Sequence, residues 1–219
     1  MRSWYSRAGT ARLCHGSRVD AFATLAAAGF EIAHTFDAAA AAREPGLAML
    51  AGDARLGILI GNTRTLWPLF TQAMGDPVLA AENDPLDRYT ERVIDAVFAG
   101  ARRYYGHRRY DGRFVPLQRL AAATGLGALA PNHLVIHPIY GPWFALRAVV
   151  VMDGSPPARE PIRQPCCCNA SCAAMFLQAQ RSSDWRDWLA VRDSCSLRTW
   201  RYSDEQARYH YITGSRARY

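Results

Sequence analysis

Residues 143–152 read Trp-Phe-Ala-Leu-Arg-Ala-Val-Val-Val-Met, a compact apolar run that predicts a long strand. Arg147 inside it must be partly buried and therefore paired, because a lone buried charge is too costly. A core carboxylate would satisfy it, and so would an acid group on a ligand held bidentately. Working outward, Leu134 to His137 predicts a short strand before it, and Asp153 to Pro165 is a proline-rich connection after it. Leu56 to Ile60 is a second buried strand, and Phe30 to Phe36 a third. Helices are predicted from Val19 to Gly29, from the Gly61-Asn62-Thr63 turn to Met74, and over Leu117 to Ala123. Asp84-Pro85 starts another, with Leu86, Tyr89, Val93, Val97 and Ala101 repeating at three and four as far as about Tyr104. Ser171 to Val191 contains a helix and Ser203 to Tyr211 another. Helices and strands mix without strict alternation, which predicts an α+β fold with a largely antiparallel sheet flanked by helices.

The 219 residues suit one domain, residues 19–219, after a flexible tail at 1–18 that carries four arginines and no acid. Half of the chain is hydrophobic, enough to fill a core. All 26 basic residues are arginine against 19 acidic ones, a net charge of +7 that permits anionic partners without naming one. The arginines are spread out, with no basic helix and no zinc-finger or ribonucleoprotein motif, so nucleic acid is not expected. Prolines, histidines and Asn132 interrupt the longest uncharged stretch, so no membrane span is expected. No apolar signal segment opens the chain. With Cys166, Cys167 and Cys168 adjacent, a reducing cytoplasmic setting is the expectation.

Few common catalytic patterns are present: Gly-x-Ser-x-Gly, Walker and His-Glu-x-x-His sequences are all missing. Gly125-Leu-Gly127 follows a helix and precedes a strand, the reverse of a dinucleotide turn. These glycines either let the backbone approach a flat ligand or simply end a helix. Trp185 and Trp188, three apart, predict a helix face packed on the sheet, with Arg186 either beside that seam or paired with Asp184 or Asp187. Asp111 stands in a turn with Gly112. Cys166–Cys168 and Cys172 lack the second pair that a zinc site uses and the spacing of an iron–sulfur run, so no metal ligands are assigned.

The run from Ile136-His137-Pro138 through Gly141-Pro142-Trp143-Phe144 to Arg147 resembles the strand segment of the CblC family, vitamin B12 processing proteins of methylmalonic aciduria and homocystinuria type C. Asp184-Trp-Arg-Asp-Trp188 and Arg201-Tyr-Ser-Asp-Glu-Gln206 are similar to its C-terminal part, and the likeness runs from about Val19 to Tyr211. Residues 120–138 also resemble the corrin-binding segment of epoxyqueuosine reductase, where Asp111 aligns with a proton-donating aspartate and Phe114 replaces a proline. These resemblances imply a flavin-reductase (nitroreductase)-like fold. They imply a cobalamin-binding domain with a C-terminal helical cap, and reductive decyanation or glutathione-dependent dealkylation at the upper face of cobalt. They place Arg147 and Arg186 on glutathione and Asp111 as catalytic acid. Leu117, Gln118, Gly125 and Gly127, with Asn132, Val135 and Leu146, fall on the cobalamin. Cobalamin, FMN and glutathione are the implied cofactors and co-substrate, with downstream B12 enzymes or a second copy of the chain as partners. A non-catalytic cobalamin carrier, or a reductase acting on another substrate through bound cobalamin, are the alternatives. The family's histidine near the nucleotide tail is replaced here by Ala122 or Ala123.

Overall fold

The two inner strands of the main sheet are buried on both faces, and this organises the molecule. The structure, a computed structural model, describes residues 15–158 and 170–213. Helix α1 (His15–Ala27) leads into β1 (Ile32–Asp37), α2 (Ala38–Ala41) and β2 (Leu56–Asn62). Helices α3 (Leu66–Ala73), α4 (Pro77–Ala80) and α5 (Pro85–Val97) follow, then β3 (Arg102–Tyr105). A hairpin of β4 (Arg109–Tyr110) and β5 (Arg113–Phe114) precedes α6 (Leu117–Ala123), β6 (Ala128–Leu129), β7 (Val135–Ile136) and β8 (Ala145–Met152). Helices α7 (Ala170–Ala179), α8 (Trp185–Asp193) and α9 (Asp204–Arg208) come last.

The main sheet has the order β1-β2-β8-β3, with every pair antiparallel. The α+β class read from the sequence is therefore the observed one. Leu56, Ile58, Ile60, Ala148, Val150 and Met152 face Leu25 of α1, Phe70 of α3 and Ile94 of α5. Leu59, Val149 and Val151 face the other way, toward Leu47, Leu50, Leu117 and Leu120. Burial on both faces explains why β2 and β8 are apolar throughout, where a half-exposed strand would alternate.

The register of β2 on β8 carries one irregularity that matters for function. Ile60 lies opposite Ala148, but the next residue, Gly61, lies opposite Leu146, which leaves Arg147 as an extra residue in β8. Such a bulge re-aims side chains. Leu146 turns to the α6 face, where it packs on that core. Gly61 is required opposite the bulge: a Cβ there would meet the Ala145 carbonyl oxygen at 2.6 Å.

Several sequence expectations shift. Helix α1 begins at His15, ahead of Val19, and residues 1–14 of the predicted tail lie outside the described residues, as do Cys166, Cys167 and Cys168. Helix α5 stops at Val97 and does not reach Tyr104, which belongs to β3. Gly100 at φ +81° turns the chain back, and pairing of Arg102–Tyr105 with β8 outweighs local helical periodicity. Asp84 occupies the N-cap position of α5 but makes no side-chain capping bond. The single helix expected within 171–191 is two helices, α7 and α8, with Asp184 capping the second through the Arg186 N–H. Asp111-Gly112 forms the expected turn, the tip of the β4–β5 hairpin, with both residues at positive φ as a type I′ turn demands. No described helix is long and apolar enough to cross a membrane.

Candidate active site

At the bulged end of β8 two cavities adjoin. The first, about 260 Å³, is walled by Asp87, His107, Phe114 and Leu117; the second, about 290 Å³, by Asn132, Val135, Phe144, Trp188, Arg192 and Tyr211. Gln118, Leu146 and Arg147 line both and so form the wall between them. The elements that supply these residues come from opposite faces of the sheet, and the bulge joins them. Arg147 points toward α5 while its neighbour Leu146 points toward α6.

Arg147 is 9% exposed. Its Nε donates to Oδ1 of the fully buried Asn62 at 2.7 Å, and its Nη1 lies 3.9 Å from Asp87 Oδ1. Among the described residues, Asp87 thus supplies a carboxylate at long range and Asn62 a neutral amide at close range. On the far side of Asp87, His107 Nδ1 lies 3.5 Å from the same oxygen, and His107 Nε2 lies 2.8 Å from Glu91 Oε1. Glu91 also accepts from Arg108 Nε at 2.6 Å and from Arg88 Nη1 at 3.5 Å. Burial works to raise the Glu91 pKa, but the bonds from Arg108 and His107 outweigh it and hold the group below its ordinary value. Glu91 is thus a carboxylate, and Nε2 of His107 is the nitrogen that donates to it.

The second cavity contains an arginine that the sequence reading passed over. Arg192 is 7% exposed and is set among the rings of Trp143, Tyr202 and Tyr211, at 5.8, 5.7 and 5.8 Å. Among the described residues its Nε and Nη1 are buried without a hydrogen-bond partner, as is Trp143 Nε1. Burial raises the Tyr202 and Tyr211 pKa values, so both hydroxyls keep their protons. Buried donors left unpaired are costly, so Arg192, which lines the second cavity, suits an acceptor-rich, anionic ligand there.

Arg186, the expected partner of Arg147, lines neither cavity. Its side chain is 70% exposed, 3.5 Å from Asp184 Oδ1 and over the Trp185 ring. The tryptophans do not pack on the sheet as expected: Trp185 stacks on Tyr211, and Trp188 meets Phe176 edge-on. Arg-Asp occurs twice in this helix, at 186–187 and 192–193, and of the two arginines only Arg192 is buried; that repeat was the available signal. Asp111 is exposed at its hairpin tip and lines neither cavity. Gly125, at φ +78°, closes α6 as a helix-end turn. Gly127 brings β6 against β7, where a Cβ would meet the Ile136 carbonyl oxygen at 2.6 Å. It also borders a third cavity of about 230 Å³ beside Arg119, Ala122 and Ala123. Of the positions assigned to cobalamin, Leu117, Gln118, Asn132, Val135 and Leu146 are brought together. Among the described residues no group of three or more His, Cys, Asp or Glu is gathered as metal ligands would be.

The sequence model of the methylmalonic aciduria and homocystinuria type C family matches residues 82–218, the stretch that holds both arginines and most of the two cavity walls. The chain belongs to this family. Proteins named cyanocobalamin reductase / alkylcobalamin dealkylase are similar to it. The bovine one is 37% identical over 75 residues, covering 34% of this chain and 26% of its own length. The mouse one is 31% identical over 112 residues, covering 51% and 36%. The matched parts thus span about a third or less of these relatives. The crystal structure of a Caenorhabditis elegans B12-trafficking protein, CblC, superposes with a TM-score of 0.68 at 18% identity. It covers 92% of this chain and 93% of that one, a likeness of fold.

Proposed function

We propose that this family member binds cobalamin and removes the upper ligand of its cobalt, by reductive decyanation or by transfer of an alkyl group to a glutathione thiolate. The observation that carries this reading is the pair of buried arginines, Arg147 and Arg192, in adjoining cavities divided by Gln118 and Leu146. A corrin is broad and apolar with an amide fringe. Leu117, Val135, Phe144 and Leu146 would meet its faces, and Gln118 and Asn132 its amides. Bound cobalamin supplies the cobalt electron chemistry, and the protein supplies orientation and field. Arginine suits bidentate capture of a carboxylate, so Arg147 and Arg192 would hold the anionic co-substrate, glutathione or the phosphate of reduced FMN. A fixed anchor converts a bimolecular attack into a nearly unimolecular one. Arg192 replaces Arg186 in this assignment, because a solvated surface guanidinium anchors weakly. A thiol co-substrate also suits the cytoplasmic setting proposed from the cysteines.

Mixing the protein with hydroxocobalamin should remove the base-on bands from the visible spectrum. Under anaerobic conditions with reduced FMN, cyanocobalamin should then convert to the cob(II)alamin spectrum. Binding without turnover, unaffected by Arg147→Ala, would assign the chain to cobalamin carriage instead.

A further inference from the structure

We infer that His107 is the proton acceptor that turns a thiol co-substrate into its thiolate at the wall of the first cavity. This rests on the thiol-dependent reading given above. The imidazole lines that cavity and is 16% exposed. Glu91, buried and ionised, accepts from Nε2 at 2.8 Å and so fixes the tautomer. That leaves the Nδ1 lone pair as the basic atom. A carboxylate behind an imidazole, orienting it, is the arrangement of a general base. Asp87 Oδ1 lies 3.5 Å from Nδ1 and 3.9 Å from Arg147 Nη1, so the base and the anchoring arginine converge on one oxygen. A thiol peptide whose carboxylate is held by Arg147 therefore presents its sulfur beside His107.

The step is a proton transfer. The S–H bond breaks with both electrons left on sulfur, and an N–H bond forms at Nδ1. The resulting imidazolium lies between two carboxylates, Glu91 and Asp87, both on α5. Among the described residues, the charged or titratable groups around this pair include Arg88 on α5, Arg108, the stacked Tyr105 at the end of β3, and Arg147 from β8. Arg88 and Arg108 both donate to Glu91, which keeps its charge in place. Nothing in the sequence singled out His107: it is a lone histidine in a polar stretch, and only the fold sets it between α5 and β8.

The test compares the full chain with His107→Gln, which retains a donor able to reach Glu91. With glutathione alone at neutral pH, the wild type should develop the ultraviolet thiolate band, and the variant should not. In glutathione-dependent demethylation of methylcobalamin, the variant should be about 100-fold slower at pH 7. The gap should close as pH rises through the thiol's own pKa, about 8.5. That recovery also proves the variant folded, and His107→Asn is the second variant. Equal thiolate bands in wild type and variant, no band in either, or a rate loss that is the same at every pH would overturn the inference. Failure of the wild type to alter the hydroxocobalamin spectrum would instead sink the cobalamin reading, while the thiolate band still decides the role of His107.

Discussion

Arg147 Nε donates to Asn62 Oδ1 across 85 residues of sequence, at 2.7 Å, because β8 carries one residue more than β2 at this point. Without that extra residue, strict alternation would put Arg147 on the face of Val149 and Val151, against Leu117 and Leu120. The bulge instead places the guanidinium between the amide of Asn62 and the carboxylate of Asp87, in the wall shared by two cavities.

Removing this guanidinium leaves Asn62 Oδ1 buried and unpaired. Arg147→Ala should therefore lower stability by about 1–3 kcal/mol in urea unfolding. It should also raise the KM for glutathione about tenfold or more.

Gly61→Ala should disturb the bulge itself, since the new methyl meets the Ala145 carbonyl oxygen. A destabilisation of about 1–3 kcal/mol is expected. Loss of co-substrate affinity should accompany it although residue 61 lines neither cavity; urea unfolding and a glutathione titration read the two effects.

The two arginines of α8 should separate cleanly. Arg192→Gln should weaken glutathione or FMN binding by about 10- to 100-fold, the range for a charge-assisted bond lost from a buried site. Arg186→Gln should change it by less than about twofold, since exposed pairs contribute little. The reverse result would restore the assignment read from the sequence.

His137 should make the fold acid-sensitive. Its Nδ1 accepts the N–H groups of Ile139 and Tyr140 at 3.1 and 3.3 Å, which protonation would break. Burial, with His34 nearby, pushes its pKa down from 6.5 to about 4. Between those values the unfolded chain binds more protons than the folded one, so stability falls as pH drops from about 6.5 to about 4. His34, also lowered by burial, acts in the same direction. Allowing for partial exposure, His137 accounts for about 1–2 kcal/mol. His137→Gln should flatten this part of the curve of urea midpoint against pH.

Asp111→Asn should leave decyanation and dealkylation rates intact, because the residue is exposed at a hairpin tip and asparagine accepts its positive φ of 49°. A marked rate loss in the folded variant would reinstate it as an acid.

Local chemistry alone determined β2, β8, α6 and the Asp111-Gly112 turn. Continuous apolar runs, three-and-four periodicity and two residues able to take positive φ leave the chain few alternatives at those places. The family resemblance also singled out Leu117, Gln118, Asn132, Val135 and Leu146, which the fold gathers at the two cavities. Three things were decided only by tertiary structure. The stop of α5 at Val97 depends on β3 finding an edge of β8, a pairing remote in sequence. The burial of Arg192 and the exposure of Arg186 depend on which side of α8 meets Trp143 and Tyr202. The seating of His107 depends on Glu91 and Asp87, one helical turn apart on α5, meeting a loop and a bulge. A bulge is one unpaired residue, which leaves no periodic trace in a run already apolar on both faces, so the direction of Arg147 could be settled only by the strands around it.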